Sequence, residues 1–307
     1  MWSPLNLGNT LAVWLDVNAI TAGVGQPVAS WVDSSRLDNN AVQATAADKP
    51  THFPSYAYGI STVDFEESTT EFLTCGFVSE LEVGVGDFMY AMVLKHSSNT
   101  DDEEQTILQK RGKDSGGTAN AGILFQQMRN DGTDTNDRRM SVGSASLTVR
   151  DGAEDTLDNT WHLYVCERTN GVLSGYMDGT AVATVASTGD VDDLSGSTTL
   201  LTIGGGAPTG TVKSLDGLLG DVLVAGGTLS EGDRQRLEGY LAFKFDTSSI
   251  NLLDVLPSDH PYKTERPTSS SGITMSFGVN TVSGKVDGEL EGDAGWPITE
   301  VAAVQRR

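Results

Sequence analysis

The sequence predicts an all-β protein, and three observations carry that expectation. Glycine contributes 35 of the 307 residues and recurs between short apolar runs, as many strands joined by tight turns require. Within the runs, apolar residues alternate with small or polar ones, the period of a half-buried strand. Helical spacing occurs in one convincing stretch, which opens at Ser230. All-β units of about 200 residues or more are common, so the length does not force a division. The expectation is one large domain followed by a tail.

Taken in order, strand text begins at residues 11–16 (Leu-Ala-Val-Trp-Leu-Asp) and returns at 28–33 (Val-Ala-Ser-Trp-Val-Asp). Further strands are expected at 61–65, 87–94, 106–109, 122–126 and 161–166, most of them bounded by Gly, Asn, Asp or Ser. The sharpest local signal is Asp178-Gly179 between Leu173–Met177 and Thr180–Val185. That dipeptide between two strands predicts a type I′ hairpin. Residues 200–206 and 217–224 supply the last strands.

A short helix near residues 230–245 follows. Ser230 with Asp233 three residues later approximates a capping box. Leu237, Tyr240, Leu241 and Lys244 recur at spacings of three and four, which predicts a stripe lying on the sheets with Arg234, Arg236 and Glu238 facing out. After Phe245 apolar residues become sparse, and residues 257–271, rich in Pro and Ser, read as an extended linker. The main domain is therefore placed at 1–256 and a C-terminal β tail at 272–307. Those 36 residues bury too little surface to fold alone, so the tail is expected to attach to another chain or to mediate oligomerisation.

Charge narrows the partners. The formal net charge is −22, from 42 acidic and 20 basic residues, which repels phosphate backbones and argues against nucleic acid. The basic run Lys110-Arg111-Gly112-Lys113 follows an acidic run and reads as a solvated loop. Cys75 and Cys166 each sit in apolar text, where a small buried thiol fits and no disulfide framework is implied. Residues 1–6 lack a basic start and a long apolar core, and nowhere do about 18 apolar residues run together. The product is expected to accumulate soluble in a cytosol, without membrane insertion.

Three segments carry a family resemblance. The first runs from Trp14-Leu15-Asp16 through 28–35 to Asn40-Ala41-Val42-Gln43 and Lys49-Pro50-Thr51. The second joins Asn159-Thr160-Trp161-His162-Leu163 to Tyr176-Met177-Asp178-Gly179. The third runs from Gly220-Asp221-Val222-Leu223-Val224 through the Ser230 helix to Leu256-Pro257-Ser258-Asp259-His260-Pro261-Tyr262. In this order they resemble the concanavalin A-like, laminin G-like jelly-roll proteins common in tailed-phage virions and on bacterial surfaces. The resemblance spans most of residues 11–262 and implies a jelly-roll sandwich with an extended C-terminal tail. It also implies a non-enzymatic virion structural protein, decorating a capsid or associated with a tail. Such a protein would be made and assembled in the host cytoplasm, with the major capsid or tail protein as partner. A homo-oligomer is expected, since closed symmetry is the rule. The alternative is a glycan-binding adhesion module that holds a host-surface sugar.

The family also contains hydrolases, whose chemistry requires particular residues. Retaining glycoside hydrolysis needs two carboxylates about 5 Å apart, on a strand an E-x-D-x-E run, which the sequence lacks. Asp64-Phe65-Glu66-Glu67 reads as a strand ending in a polar turn, and Glu80-Leu81-Glu82 as a loop with two solvated charges. The four histidines, His52, His96, His162 and His260, have no zinc spacing and read as structural. Gly204-Gly205-Gly206 lacks the Gly-Lys-Ser/Thr of a phosphate loop and reads as a turn.

Two sets of binding residues remain as candidates. Calcium is an option rather than an expectation, since the oxygen-rich loops 190–193 and 131–137 resemble rim sites without matching an EF-hand. Its ligands would be Asp190, Asp192 and Asp193; otherwise no cofactor is expected. For a sugar, Tyr56 and Tyr58 are the best exposed aromatics, with Asp134 and Asn136 as hydrogen-bonding partners. Trp14, Trp31 and Trp161 lie in strand text and read as core, which leaves Trp2 and Trp296 as tryptophans outside it.

Overall fold

The apolar alternation does form strands. The computed structural model describes residues 1–56, 60–66, 70–97, 105–113, 119–127, 138–142, 145–149, 159–187, 189–191, 200–205, 213–247 and 250–269. The strands are β1 (Leu11–Ile20), β2 (Ser30–Asp33), β3 (Ala41–Val42), β4 (Thr51–Tyr56), β5 (Ile60–Phe65), β6 (Leu73–Gly76), β7 (Phe88–His96), β8 (Gln105–Lys113) and β9 (Ala119–Gln127). They continue with β10 (Arg138–Val142), β11 (Ala145–Val149), β12 (Trp161–Thr169), β13 (Val172–Met177), β14 (Thr180–Ala186), β15 (Leu201–Ile203), β16 (Lys213–Ser214) and β17 (Gly217–Gly226). Two helices follow, α1 (Glu231–Lys244) and α2 (Leu252–Val255).

Pairing arranges the strands in two layers. One has the order β2–β1–β17–β7–β12–β13–β14 and the other β3–β6–β15–β8–β9–β10–β11, with β2 and β3 paired to each other and β4–β5 attached through β17. Every pairing is antiparallel except β16 with β8. This is the expected β sandwich. Between the layers an aromatic file forms the core: Tyr90 of β7 lies 5.8 Å from Phe125 of β9, which lies 5.5 Å from Tyr164 of β12. Offset and tilted ring pairs of this kind add to their area burial.

The Asp178-Gly179 turn forms as expected. Its residues have φ of 52° and 78°, the left-handed pair that a type I′ turn needs. The Asp178 carboxylate accepts from Leu163 N at 2.8 Å and meets His162 Nδ1 at 2.7 Å. His52, His96, His162 and His260 are all buried. Cys75 and Cys166 are buried free thiols, and burial pushes Cys166 up to about 12 and Cys75 higher still. Gly204 has φ +79°, and a Cβ there would overlap the Phe65 ring.

β7 and β17 are buried along nearly their whole length; behind β17, Phe245 at the end of α1 stands against Gly220, and Glu80 and Val83 stand against Gly226. The register of β17 against β7 slips by one residue between Leu219 and Val222. That bulge turns both Gly220 and Asp221 toward the helix. A Cβ at Gly220 would stand 2.7 Å from Phe245 Cζ, while the Asp221 carboxylate accepts from Lys244 Nζ at 2.6 Å and from Trp14 Nε1 at 3.0 Å. Ser230 caps α1, its hydroxyl accepting from Asp233 N at 3.1 Å.

Four expectations are corrected by packing. Lys110, read as part of a solvated loop, is fully buried on β8, where its ammonium meets Glu82 at 2.6 Å and donates to Val191 O at 2.8 Å. Glu82 is accordingly an ion-pair partner rather than a solvated charge. Trp2, set outside the core, is buried beside Tyr240. Arg234 and Glu238, expected to face out from α1, are buried at 6% and 0% exposure. In each case a second element covers a face that local sequence leaves open.

Residues 257–269, the described part of the stretch read as a linker, lie against α1 and the N-terminus. Pro267 O accepts from Trp2 N at 3.1 Å, and Tyr262 and Pro267 crowd Gly239 so closely that a Cβ there would overlap Tyr262. Lys263 Nζ donates to the carbonyls of Leu253, Asp254 and Leu256. The tail at 272–307 lies outside the described residues.

Candidate functional site

The burial of Arg234 and Glu238 leads to the site. Residues 256–262 cross over α1, and where they meet β12, β13 and the start of α1 they leave an open recess of about 530 Å³. Its polar lining includes Glu167 and Thr169 of β12, Tyr176 of β13, Glu231 and Gln235 of α1, and Asp259. Leu229, Pro257 and Pro261 supply apolar surface.

Helix spacing sets Arg234 and Glu238 on one face, four residues apart. Arg234 Nη1 donates to both Glu238 oxygens at 2.7 and 2.9 Å, and its guanidinium lies 3.9 Å over the Tyr176 ring. His260 Nε2 reaches Glu238 Oε2 at 3.1 Å, while His260 Nδ1 accepts from Tyr262 N at 3.2 Å. The acceptor role of Nδ1 places the imidazole proton on Nε2, so His260 donates to Glu238. Helix and crossing segment are thus fastened through one buried carboxylate.

Glu167 sits at the edge of this cluster. It accepts from the Tyr176 hydroxyl at 3.0 Å, and Arg234 Nε stands 4.0 Å away. Burial holds the Glu167 carboxyl above the usual range, against the opposing pull of the Tyr176 hydrogen bond and Arg234. Burial, then the charge of Glu167, pushes the Tyr176 hydroxyl up to about 12. The arrangement can accept hydrogen bonds from a hydroxyl- or amine-bearing ligand and offers flat apolar surface beside them.

Of the sequence-predicted binding residues, the structure describes the backbone of Tyr56 and the residue Asp190. Tyr56 ends β4, its backbone paired with Ile60. Tyr58, Asp134, Asn136, Asp192 and Asp193 lie outside the described residues. The Asp190 carbonyl accepts from Gly122 N at 3.0 Å, and Arg168 ties the carbonyl of neighbouring Gly189 to those of Gly84 and Gly86. Among the described residues no group of three His, Cys, Asp or Glu side chains is placed to hold a metal ion, and no helix is long and apolar enough to cross a membrane. The recess residues were missed because Arg234-x-x-x-Glu238 reads as a surface pair and His260-Pro261 as linker. The one available signal was the third resembling segment, which joins this helix to the Pro-Tyr ending.

Comparison with known proteins agrees with the two-layered fold. A profile of the concanavalin A-like lectin/glucanases superfamily matches residues 79–233, half of the chain. The protein therefore belongs to that superfamily. Among solved structures, it resembles the botulinum neurotoxin type C whose cell entry depends on interaction with two ganglioside molecules. That likeness has 14% identity and a TM-score of 0.50, covering 78% of this chain and 53% of the other. The binding domain of botulinum neurotoxin serotype D/C gives 12% identity and a TM-score of 0.50, covering 77% and 53%. A Trypanosoma rangeli sialidase in complex with sialic acid gives 14% identity and a TM-score of 0.46, covering 75% and 32%. The chain thus corresponds to about half of the toxin chains and a third of the sialidase. No curated protein sequence matches significantly.

Proposed function

We propose that this chain is a non-enzymatic display protein, a capsid-decorating or tail-associated virion component that presents a lectin-like sandwich on the particle surface. The observation that carries the reading is how the ionisable groups of the largest described clusters are used. Glu238 is held by Arg234 and His260, and Asp221 by Lys244 and Trp14. Glu82 is held by Lys110. Through these carboxylates His260, Lys244 and Lys110 each fasten one element to another, which suits a rigid scaffold and leaves these groups unavailable as catalytic acid and base. The virion setting rests on the resemblance of three sequence segments to a family common in tailed-phage virions and on bacterial surfaces.

Quantitative mass spectrometry of purified particles tests it by counting copies of this chain relative to the shell protein. Hundreds of copies indicate head decoration, and tens indicate the tail. Absence from the particle removes the virion reading. Glycan binding is the second reading, favoured by the hydroxyl-accepting recess between β12, β13 and α1, and it is compatible with the first. A glycan array with the intact protein tests it, and no retained glycan sinks it.

A further inference from the structure

A second pocket, of about 350 Å³, opens at the other end of α1, where residues 1–2, β1 and residues 266–267 meet the helix. Its volume lies within the range of small-molecule sites. Tyr240 and Phe243 of α1, with Trp2 and Pro267, give it apolar walls, and Asn18 of β1, Lys244 and Arg266 give it a polar lining. Among the described residues no carboxylate lines it, although the chain has 42 acidic residues against 20 basic. Lys244 spends its charge inside the fold, its ammonium donating to Asp16 and Asp221.

Arg266 is placed differently. It is exposed, its guanidinium lies 5.4 Å from the centre of the Phe243 ring, and it forms no ion pair among the described residues. A guanidinium seated over a ring is held by it while its N–H donors remain available. The Tyr240 hydroxyl and the Asn18 side-chain amide likewise make no hydrogen bond among the described residues. Burial, then the charges of Asp221 and Asp16, hold the Tyr240 hydroxyl above its ordinary value against the pull of Arg266. It therefore stays protonated and able to donate.

The unspent groups of the pocket are thus mainly hydrogen-bond donors, one of them charged, set between aromatic walls. Donors call for an acceptor, and the planar fork of an arginine matches a carboxylate through two parallel bonds. The ring walls suit the C–H face of a sugar.

We propose that this pocket is a saccharide subsite selective for a sugar carrying a carboxylate, the carboxylate bound by Arg266 and Tyr240, a ring hydroxyl by Asn18, and the C–H face packed on the aromatic walls. The proposal rests on the glycan-binding reading above and places this subsite at the opposite end of α1 from the recess that favours that reading.

The test is titration calorimetry of the intact protein with cellobiouronic acid and cellobiose, which differ in one carboxylate against one hydroxymethyl group. Sialyllactose with lactose makes a second pair, and sodium acetate is the bare anion. At least one acid should bind about tenfold or more tighter than its neutral counterpart, ~1.4 kcal/mol. The exposed change Arg266→Gln should leave the melting temperature in place and abolish that preference, and Tyr240→Phe, which removes one hydroxyl, should weaken the acid about threefold or more. An unchanged preference in Arg266→Gln, or unchanged acid affinity in Tyr240→Phe, overturns the site while leaving glycan binding standing. Equal binding of acid and neutral sugars overturns the selectivity, and acetate binding as tight as the acid sugar reduces the pocket to an anion site and overturns the saccharide subsite. Glycans retained on the array with no acid sugar bound in the titration overturn the inference alone. If the array retains none and no sugar titrates, the glycan-binding reading falls and the inference with it.

Discussion

Lys244 Nζ donates to Asp221 at 2.6 Å and to Asp16 at 2.7 Å, so one ammonium at the last turn of α1 ties the helix to two strands. Asp221 is fully buried and also accepts from Trp14 Nε1 and Val17 N. Burial raises its carboxyl above the ordinary range while Lys244 opposes the shift. Removing one partner of such a group leaves a buried charge uncompensated. Lys244→Met should cost about 3–5 kcal/mol, read as a lower urea midpoint at unchanged slope. A wild-type midpoint would show that Asp221 is not charged in the folded protein.

Glu238 plays the equivalent part at the other face of α1. Glu238→Gln keeps the shape but leaves Arg234 without its buried counter-charge, and about 3 kcal/mol should be lost. Because the amide offers one acceptor oxygen where the carboxylate offered two to Arg234 and His260, the hold on His260 weakens as well, and cleavage by a protease should appear first within 256–267. If cleavage there is as slow as in the native protein, His260 does not hold the segment.

Asp64 predicts a pH dependence. Burial, and then Glu66 and Asp216, raise its carboxyl to about 6. The folded state therefore holds this proton more tightly than the unfolded chain does. The resulting stabilisation is complete below the ordinary value of 3.8 and is lost as pH rises through about 6. Asp64→Asn should raise the melting temperature at pH 7.5 and leave it nearly unchanged at pH 4. A lower melting temperature at pH 7.5 would mean that the charged carboxylate has a stabilising partner.

Gly204 is set by both its backbone and its neighbour. At φ +79° a side chain is strained, and a Cβ would enter the Phe65 ring. Gly204→Ala should cost more than about 2 kcal/mol. The companion change Phe65→Leu should recover part of that loss, since it trims the ring. Full stability of Gly204→Ala alone would place Phe65 elsewhere.

Much of the fold is legible in the sequence. Period-two alternation places the central strands, Asp178-Gly179 their hairpin, and Ser230 with Asp233 the start of α1, because each is decided by a few consecutive residues. The three resembling segments point to the superfamily that residues 79–233 confirm.

The site was not legible in the same way. Tyr56 and the aspartates were chosen for residue type in loop text, whereas the recess is made by β12, β13, α1 and residues 257–261, which are far apart in sequence. Lys110, Arg234 and Glu238 read as solvated because local sequence records charge and spacing but not what covers a face. The crossing of 256–262 over α1 covers Arg234 and Glu238, the one-residue bulge turns Asp221 toward Lys244, and Glu82 and Val191 enclose Lys110; only tertiary packing decides that these charges are buried and paired. Alternation and turn chemistry are local and so are written in the chain itself, while the desolvation of a charge depends on whichever distant segment excludes its water.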